Sequence, residues 1–236
     1  METTSEKIVV NDKKKKQITV NGTNYSRLAI KTHIITDADN ICDVAEKYAS
    51  EHLTEGDILF ITEKIVACTQ KRAIPMAEIN PRPLAKLLCK FVLKTPHGIG
   101  LGIPETMEMA LRECGTIRIL FAAGISVVGK LLRKRGWFYM VAGEKARSID
   151  GPCDCTIPPY NGYVVLGPEN PDEVAKDVSM RINAPVIITD INDLGGQILG
   201  AYPTDIDRDL MTKILKDNPL GQSREQTPMG IIRQEN

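Results

Sequence analysis

The segment from Ala184 to Gly200 constrains the fold of this chain more than any other. Val186 to Ile188 form a short apolar run that is typical of a buried strand. Polar residues that include Asp190 and Asp193 follow at once, and Gly195-Gly196 comes next. A buried strand that ends in carboxylates and glycines often holds a metal ion or a phosphate. A polar turn that merely closes a strand gives the same pattern, and this stretch taken alone favours that simpler interpretation.

A second carboxylate stands in a similar position. Asp150 follows the apolar Ile149 and precedes a Gly-Pro turn. A strand and a helix are predicted between Asp150 and Asp190, so the two loops could converge at one end of a sheet. Mg²⁺ or Mn²⁺ takes about six oxygen ligands, of which one or two are protein carboxylates. We therefore predict a metal site at Asp150 and Asp190, with Asp154 and Asp193 as further ligands.

The cysteines indicate a reducing compartment. The chain has six, at positions 42, 68, 89, 114, 153 and 155, and four of them lie in apolar segments. This distribution favours reduced thiols in a cytoplasmic protein over a disulfide framework. Cys153-Asp-Cys155 leaves open a zinc site, a nucleophile, or a plain turn with two small buried thiols. The turn is favoured, because zinc needs about four ligands and the three histidines lack paired spacing.

Charge and hydropathy exclude two classes of partner. Lys+Arg and Asp+Glu both number 30, so no strong field favours nucleic acid. The apolar runs are too short for a membrane helix, and the N-terminus lacks the apolar core of a signal peptide. We expect residues 1–16, which end in four lysines, to form a basic tail, and residues 17–236 to form one domain or two subdomains.

Strands and helices alternate irregularly, which is typical of an α+β or mixed α/β fold. Asn21-Gly22 predicts a hairpin turn between strands 17–20 and 25–30, the second of which extends to Ile35. Thr36 or Asp37 is expected to cap a helix that runs to about His52. Trp137 to Val141 is predicted as a strand. Residues 117–132 fit either a strand followed by a helix or one buried helix.

Taken together, these stretches resemble one family, the gamma-glutamyl ligase of the deazaflavin coenzyme F-420. The similarity runs from about Ile30 to Ile232. The segments that carry it are Leu53–Val66, Ile149-Asp150, Gly162–Asp172, Ile188–Asp190 and Gly221–Pro228. No single segment is very specific, but their order and spacing are moderately so. The resemblance identifies the chain as a divergent member of this family.

The resemblance implies a fold, a reaction and partners. The fold would be the unusual α+β fold of the ligase, assembled as an intertwined homodimer. The reaction would use GTP and Mg²⁺ or Mn²⁺ to join L-glutamate, or another amine, to a small-molecule carboxylate substrate through an acyl phosphate. Neither a nucleic acid nor a membrane is expected as a partner.

The resemblance also implies the residues of the site. Asp150 and Asp190 would bind metal, and Asn192 and Asp193 would supply ligands that are missing from the family pattern. The residues that would contact the nucleotide are His33, Ile34, Glu63, Lys64, Cys153, Gly221, Gln222, Ser223, Arg224, Glu225 and Thr227.

Departures from the family pattern keep alternatives open. Cys68 and Gln222 stand where the family has lysines, Pro152-Cys153 replaces Ser-Asn, and Ile191 replaces Ser or Thr after the second aspartate. These changes remove cationic and polar phosphate contacts. The alternative hypothesis is therefore a non-catalytic or altered-substrate homologue that binds a nucleotide or another small ligand. A third hypothesis is a thiol–metal protein that uses Cys153 and Cys155.

Overall fold

The computed structural model describes residues 8–9, 14–92, 99–133, 136–192, 195–221 and 224–235. The chain forms two compact units, and each has its own core. The first unit falls within residues 1–71 and 168–236, and the second within residues 72–167. Both strands and helices are present, so the predicted mixed α+β class is confirmed. The predicted homodimer stays a prediction.

The described strands and helices follow the chain in this order. The strands are β1 (Ile8–Val9), β2 (Gln17–Val20), β3 (Thr23–Ile30), β4 (Ile58–Thr62), β5 (Ala73–Pro75), β6 (Tyr163–Val165), β7 (Val186–Asn192), β8 (Gly195–Tyr202) and β9 (Met229–Glu235). The helices are α1 (Ile41–Ala49), α2 (Glu63–Thr69), α3 (Pro83–Leu88), α4 (Pro104–Glu113), α5 (Thr116–Leu131), α6 (Trp137–Ala142), α7 (Glu144–Arg147), α8 (Pro171–Ile182) and α9 (Arg208–Leu215).

A seven-stranded sheet organises the first unit. Its order is β1-β3-β9-β4-β7-β8, and β2 also pairs with β3. β4 and β7 run parallel, while β9 is antiparallel to both β3 and β4. The register aligns Ile30 with Met229, Met229 with Ile61, and Ile61 with Ile188. These four residues form a row across the sheet. The chain leaves β3 and β4, and enters β9, on the same side of this row.

Both faces of the sheet are covered. Side chains alternate along a strand, so Leu59 and Ile61 pack in one core with residues of α1, α2 and α8. Phe60 and Ile187 pack in a second core with residues of α9. Burial on both faces explains why the inner strands β4 and β7 contain continuous apolar runs instead of an alternating pattern.

A buried carboxylate ties the turn before β4 to β9. Asp57 is 1% exposed and accepts hydrogen bonds from Nε and Nη2 of Arg233, at 2.9 and 2.7 Å. The Thr54 amide donates to the same carboxylate at 2.8 Å. Burial alone would raise the pKa of Asp57, but the hydrogen bonds from Arg233 and Thr54 outweigh it and hold this pKa below its usual range. The turn is thereby fixed to the sheet.

The second unit is mainly helical. Helices α3 to α7 and the β5–β6 pair enclose an apolar core that includes Leu101, Met107 and Ile119. Glu108 is buried in α4 and accepts hydrogen bonds from Arg82 and Arg112, at 3.0 and 2.9 Å. Burial alone would raise the pKa of Glu108, but the hydrogen bonds from these two arginines outweigh it, so the pKa lies below its usual value.

One predicted strand in this unit is wrong. Residues 137–142 form helix α6, which lies between Gly136 and Gly143, both with φ near +90°. Phe138 and Val141 pack against the core of the second unit. A short apolar run fits a strand and a buried helix equally well, and here the tertiary packing decides between them.

Helix α5 carries an exposed apolar face. The segment that left two possibilities open is one helix, with Ile119 and Ala122 buried. Its outer side chains recur at intervals of three, four and seven residues, which is the spacing of one helical stripe. The exposed apolar residues of this stripe, with their exposed fractions, are Ile117 85%, Leu120 44%, Phe121 64%, Val127 57% and Val128 46%. We call these five residues the α5 face.

Membrane insertion by a helix is not supported in the described ranges. None of the helices found there combines the length and the apolar character that a membrane span requires.

Candidate functional site

Segments of the first unit meet at one edge of its sheet, beyond the row that joins Ile30 to Ile188. Two backbone hydrogen bonds hold them there. The Thr32 amide donates to the Gln226 carbonyl at 3.1 Å, and the Thr62 amide donates to the Pro228 carbonyl at 3.0 Å. The end of β7 lies beside the end of β4, where Thr62 is the register partner of Thr189. We call this region the strand-end cluster; it comprises His33, Glu63, Lys64, Asp190 and residues 224–227.

His33 lies in the loop after β3 with a fixed ring orientation. Its Nε2 is 3.0 Å from an Asp39 oxygen, and its Nδ1 is 2.9 Å from the Tyr48 hydroxyl. Burial would raise the pKa of Asp39, but hydrogen bonds from Thr36 and His33 outweigh it and lower this pKa. Asp39 is therefore a carboxylate that accepts a hydrogen bond from Nε2–H, and the Tyr48 hydroxyl fixes the other side of the ring at Nδ1. Ile34, the next residue, is 39% exposed.

Glu63 and Lys64 are the first two residues of α2, which begins directly after β4 without a connecting loop. Val66 and Ala67 anchor the helix in the core. Lys64 is exposed and Glu63 is half-buried. A strand and a helix therefore fix the backbone position of Lys64 more rigidly than a loop would.

The sequence predicted that Asp190 follows a strand, but Asp190 lies within β7. β7 continues to Asn192, and a register shift between Ile188 and Thr189 marks a bulge just before Asp190. Ile191 packs in the same core as Ile187, on the α9 face. Because side chains alternate, Asp190 is directed to the other face, which α1 and α2 cover. The extra residue of the bulge is Leu199 in β8, so the alternation of side chains along β7 is not interrupted. Asp193 lies outside the described residues.

The loop before β9 is closed by its own hydrogen bonds. Thr227 is buried, and its hydroxyl donates to the Leu220 carbonyl at 2.7 Å. Gly221, at φ +91°, accepts from the Asn218 amide group at 2.8 Å. These contacts give Thr227 and Gly221 a structural part in the loop. Arg224 is exposed and Glu225 is half-buried. Gln222 and Ser223 lie outside the described residues.

The remaining predicted residues belong to the second unit. The backbone of Asp150 pairs with Val165, with hydrogen bonds of 2.8 and 3.0 Å. Cys153 and Cys155 are exposed and joined by a disulfide. The prediction of two buried, reduced thiols is wrong at this pair, because both lie on a solvent-exposed turn and not in an apolar segment. Sulfurs bonded to each other do not provide the thiolates that zinc requires. The pairing of Asp150 with Asp190 stays a prediction.

Carboxylates alone do not complete a metal site in the described ranges. No three His, Cys, Asp or Glu side chains there are grouped so that they could hold an ion. A hard divalent cation at Asp190 would therefore take most of its ligands from water and from the oxygens of a substrate. Mg²⁺ commonly binds in this way, with one or two carboxylates and several phosphate or water oxygens.

A cavity lies elsewhere in the first unit. It has a volume of about 430 Å³ and is lined by residues of the turn before β4 and of the connection between α8 and β7, among them Leu53, Gly56 and Pro185. These residues precede β4 and β7, whereas the strand-end cluster follows β4. None of the predicted site residues lines this cavity.

Sequence reasoning missed the residues that position His33. The sequence pattern predicts Thr36 or Asp37 as the helix cap, and it places neither Asp39 nor Tyr48 among the site residues. The true N-cap of α1 is Asn40, whose side chain accepts from the Cys42 amide at 2.8 Å. Asp39 follows Thr36 by three residues, a spacing at which an aspartate side chain can accept a hydrogen bond from the earlier backbone amide. This local pattern is the signal that could have revealed the turn.

The comparison with known protein families decides the assignment. The family model of F420-0:gamma-glutamyl ligase matches residues 29–193, which is more than half of the chain. The chain belongs to this family. The resemblance inferred from the motifs is thereby confirmed. Among curated proteins, the coenzyme F420:L-glutamate ligase of Methanopyrus kandleri is 28% identical over 224 residues, which cover 81% of this chain and 80% of that relative.

The extent of the F420-0:gamma-glutamyl ligase match bears on the site. The matched range includes His33, Lys64, Asp150 and Asp190, and it ends before the loop that precedes β9. The hydrogen bond from Thr32 to Gln226 places that loop at the strand-end cluster independently of the match. The family assignment and the geometry of the first unit therefore point to the same edge of the sheet.

Proposed function

We propose that the protein is a GTP- and divalent-metal-dependent ligase that adds L-glutamate, or another amine, to a small-molecule carboxylate substrate. Membership of the F420-0:gamma-glutamyl ligase family supports a ligase that adds glutamate. The name of the Methanopyrus kandleri relative supports the same class of reaction. The observation that carries the proposal is the strand-end cluster, in which the segments that hold Lys64, Asp190 and Arg224 lie at one edge of the sheet.

The proposed reaction has two steps. The substrate carboxylate first attacks the γ-phosphorus of GTP, which forms an acyl phosphate and releases GDP. The amine of glutamate then attacks the acyl carbon, which forms the amide, releases phosphate and gives up one proton from the amine. Such phosphoryl transfer depends on positioning and on neutralising the phosphate charge.

Each residue of the cluster has a part in this proposal. Lys64 and Arg224 are exposed cations, suited to neutralise phosphate oxygens. Asp190 is a half-buried carboxylate, suited to a hard cation such as Mg²⁺ or Mn²⁺. When bound, the cation supplies further charge neutralisation to the phosphates. The ring of His33 is held by Asp39 and Tyr48 and presents an oriented surface beside the nucleotide.

We also propose that the protein is a homodimer. The family resemblance implies this assembly, and the α5 face supports it. An isolated exposed apolar residue needs no explanation, but five along one helical stripe form a continuous patch. A second copy of the chain would cover this patch.

The altered-substrate homologue is the second candidate, and Cys68 favours it. This residue is 5% exposed in the core side of α2, where the family pattern has a lysine. One cationic phosphate contact is therefore absent at α2. If the same scaffold binds a nucleotide without turning it over, binding and catalysis will separate in an assay.

The test incubates the protein with GTP, Mn²⁺ or Mg²⁺, L-glutamate and the deazaflavin coenzyme precursor that lacks glutamate. We expect a product heavier by one glutamyl group, together with GDP and phosphate in equal amounts. Asp190→Asn should lower the rate by roughly 100-fold, because a metal ligand is lost. Asp205→Asn, which alters an exposed loop carboxylate, should leave the rate unchanged.

The outcomes separate the two candidates. A rise in melting temperature with GTP and Mn²⁺, without GDP formation for any carboxylate substrate, supports the non-catalytic homologue. If GTP and ATP produce neither a melting-temperature shift nor turnover, the ligase and any homologue that binds these nucleotides are ruled out.

A further inference from the structure

The turn that contains Cys153 and Cys155 is chemically distinct from the other cysteines of the chain. Both residues are exposed, and their sulfurs are bonded to each other. Cys68 and Cys89 are buried, while Cys42 and Cys114 are half-buried. Burial raises the pKa of the thiols of Cys42 and Cys114, so a smaller fraction of each is the reactive thiolate. Exchange with an external thiolate requires a disulfide, and the other four cysteines are free thiols, so this exchange is confined to Cys153 and Cys155.

The disulfide is poorly placed to act as a structural brace. It joins residues two apart in sequence, and closing so short a loop removes little freedom from the unfolded chain. The Cα atoms are 5.2 Å apart, within the range that a disulfide ordinarily spans, and the Thr156 amide closes the turn on the Cys153 carbonyl at 3.0 Å. The backbone turn therefore has a hydrogen bond of its own that does not depend on the sulfur–sulfur bond.

We propose that Cys153 and Cys155 form a reversible dithiol–disulfide couple that exchanges electrons with a small or protein dithiol. Exposed disulfides that stabilise little are the labile ones, and exchange requires access of the attacking thiolate. This site goes beyond the ligase reaction, and neither the family nor the cluster of the first unit requires it.

The exchange with a dithiol reductant takes two steps. A thiolate of the reductant attacks one sulfur of the pair, the Cys153–Cys155 bond breaks, and a mixed disulfide forms. The second thiol of the reductant then displaces the bound cysteine and closes the reductant's own disulfide. Two electrons and two protons pass to the pair, which becomes two thiols, and the reductant is oxidised.

The geometry also gives the direction of attack. The backbone amide of Cys155 donates to the sulfur of Cys153 at 3.2 Å. A hydrogen bond to the charged form stabilises it, so Cys153 is the better leaving thiolate. The external thiolate therefore attacks Cys155, and the mixed disulfide forms on that residue.

The test equilibrates the intact protein with mixtures of reduced and oxidised dithiothreitol in the presence of a chelator. Free thiols are then alkylated without denaturant and mapped by mass spectrometry. We expect Cys153 and Cys155 to change together from unmodified to doubly alkylated, and to change back when the ratio is reversed. Cys68 and Cys89 should stay unmodified throughout, because they are buried.

Variants make the result decisive. Cys153→Ser and Cys155→Ser should each leave one thiol that is alkylated at every ratio, whereas Cys114→Ser should leave the paired transition unchanged. The couple is refuted if both thiols are alkylated even in fully oxidised dithiothreitol, or if the pair stays blocked in reduced dithiothreitol until the protein is unfolded.

A second measurement tests the direction of attack. Brief exposure to limiting glutathione, followed by an acid quench, should place glutathione on Cys155 with several-fold preference over Cys153. Glutathione found mainly on Cys153 would overturn the assigned direction.

Discussion

At the scale of single residues, burial distinguishes the structural carboxylates Asp57 and Glu108 from Asp190, the predicted metal ligand. Asp57 and Glu108 are each 1% exposed, and arginines neutralise both. Asp190 is half-buried and lies at a sheet edge. A carboxylate already neutralised by arginines has little capacity left for a cation or a phosphate-bearing ligand, so Asp57 and Glu108 stabilise the units in which they lie.

Replacing Asp57 with alanine should therefore destabilise the protein without altering its site. Arg233 would lose its two hydrogen bonds to the carboxylate and keep the one to the His52 carbonyl, and the Thr54 amide would lose its acceptor. Removing one partner of a buried pair costs about 3–5 kcal/mol, and we expect the lower end because Arg233 is 33% exposed. Denaturant unfolding measures the loss. Glu55→Ala, in the same turn but exposed, should change stability by less than about 0.5 kcal/mol.

The same carboxylates set the response to acid. The pKa values of Asp57 and Glu108 are lower in the folded protein than in the unfolded chain. Their contribution to the free energy of unfolding is therefore complete above the pKa values of the unfolded chain, about 4 for Asp and Glu. It is lost as the pH falls through the lower pKa values of the folded protein. Unfolding at a series of pH values should show stability falling below about pH 4, with a shallower fall in the Asp57→Ala variant. An equally steep fall in the variant would show that Asp57 is not one of the responsible groups.

Single residues also show what the sequence could and could not predict. Asp190 was predicted from the polar residues that follow an apolar run, which is a local pattern, whereas Lys64 was predicted from the resemblance to the ligase family; the roles of both stay predictions. Asp39 and Tyr48 were missed because they act through the ring of His33, a contact that forms only when α1 folds back on its preceding loop. The bond between Cys153 and Cys155 was missed because composition favoured a reduced protein, whereas exposure on a turn depends on the fold.

At the scale of elements, the centre of the sheet depends on a close approach at β9. A Cβ atom on Gly230 would lie 2.6 Å from the ring of Phe60 and 2.7 Å from the Leu28 carbonyl oxygen. Phe60 is 1% exposed in β4, and Leu28 lies in the neighbouring strand β3. Both contacts come from paired strands, so neither can move without disturbing the sheet.

Gly230→Ala should therefore destabilise the protein by at least about 1–3 kcal/mol, the usual cost of overpacking a core. Thermal or denaturant unfolding measures this effect. Gly162→Ala is the matched control, because a Cβ atom there meets nothing within 4 Å and its φ is not positive. The proposed packing at β9 would be contradicted if the two variants were equally stable.

Elements with a strong local signal were predicted well. Asn21-Gly22 adopts positive φ at both positions and joins β2 to β3, as the sequence had indicated. Extension of β3 to Ile35 was wrong, because the Thr32 amide bonds to Gln226 in the loop before β9 and leaves the ladder. Gln226 is far from Thr32 in sequence, so no local pattern predicts this hydrogen bond.

At the scale of the whole molecule, the α5 face is an extended exposed apolar surface among the described residues, and a second copy of the chain is its proposed partner. Its five side chains expose 44–85% of their area. Side chains of this size present on the order of 500 Å², which is more than half of the roughly 800 Å² that each partner buries in a standard interface. Ala123 and Gly124 lie along the same helix and allow close approach of a second helix.

The homodimer can be tested by placing charge on this face. Phe121→Lys combined with Val128→Lys should raise the dimer dissociation constant by roughly 100-fold or more, because a twofold interface buries each new cation twice. Sedimentation velocity over a dilution series measures this constant. Met180→Lys is the matched control, since Met180 is 69% exposed on α8 and lies outside the α5 face. A dimer equally tight in the double variant would place the interface elsewhere, and a monomeric parent protein would refute the homodimer.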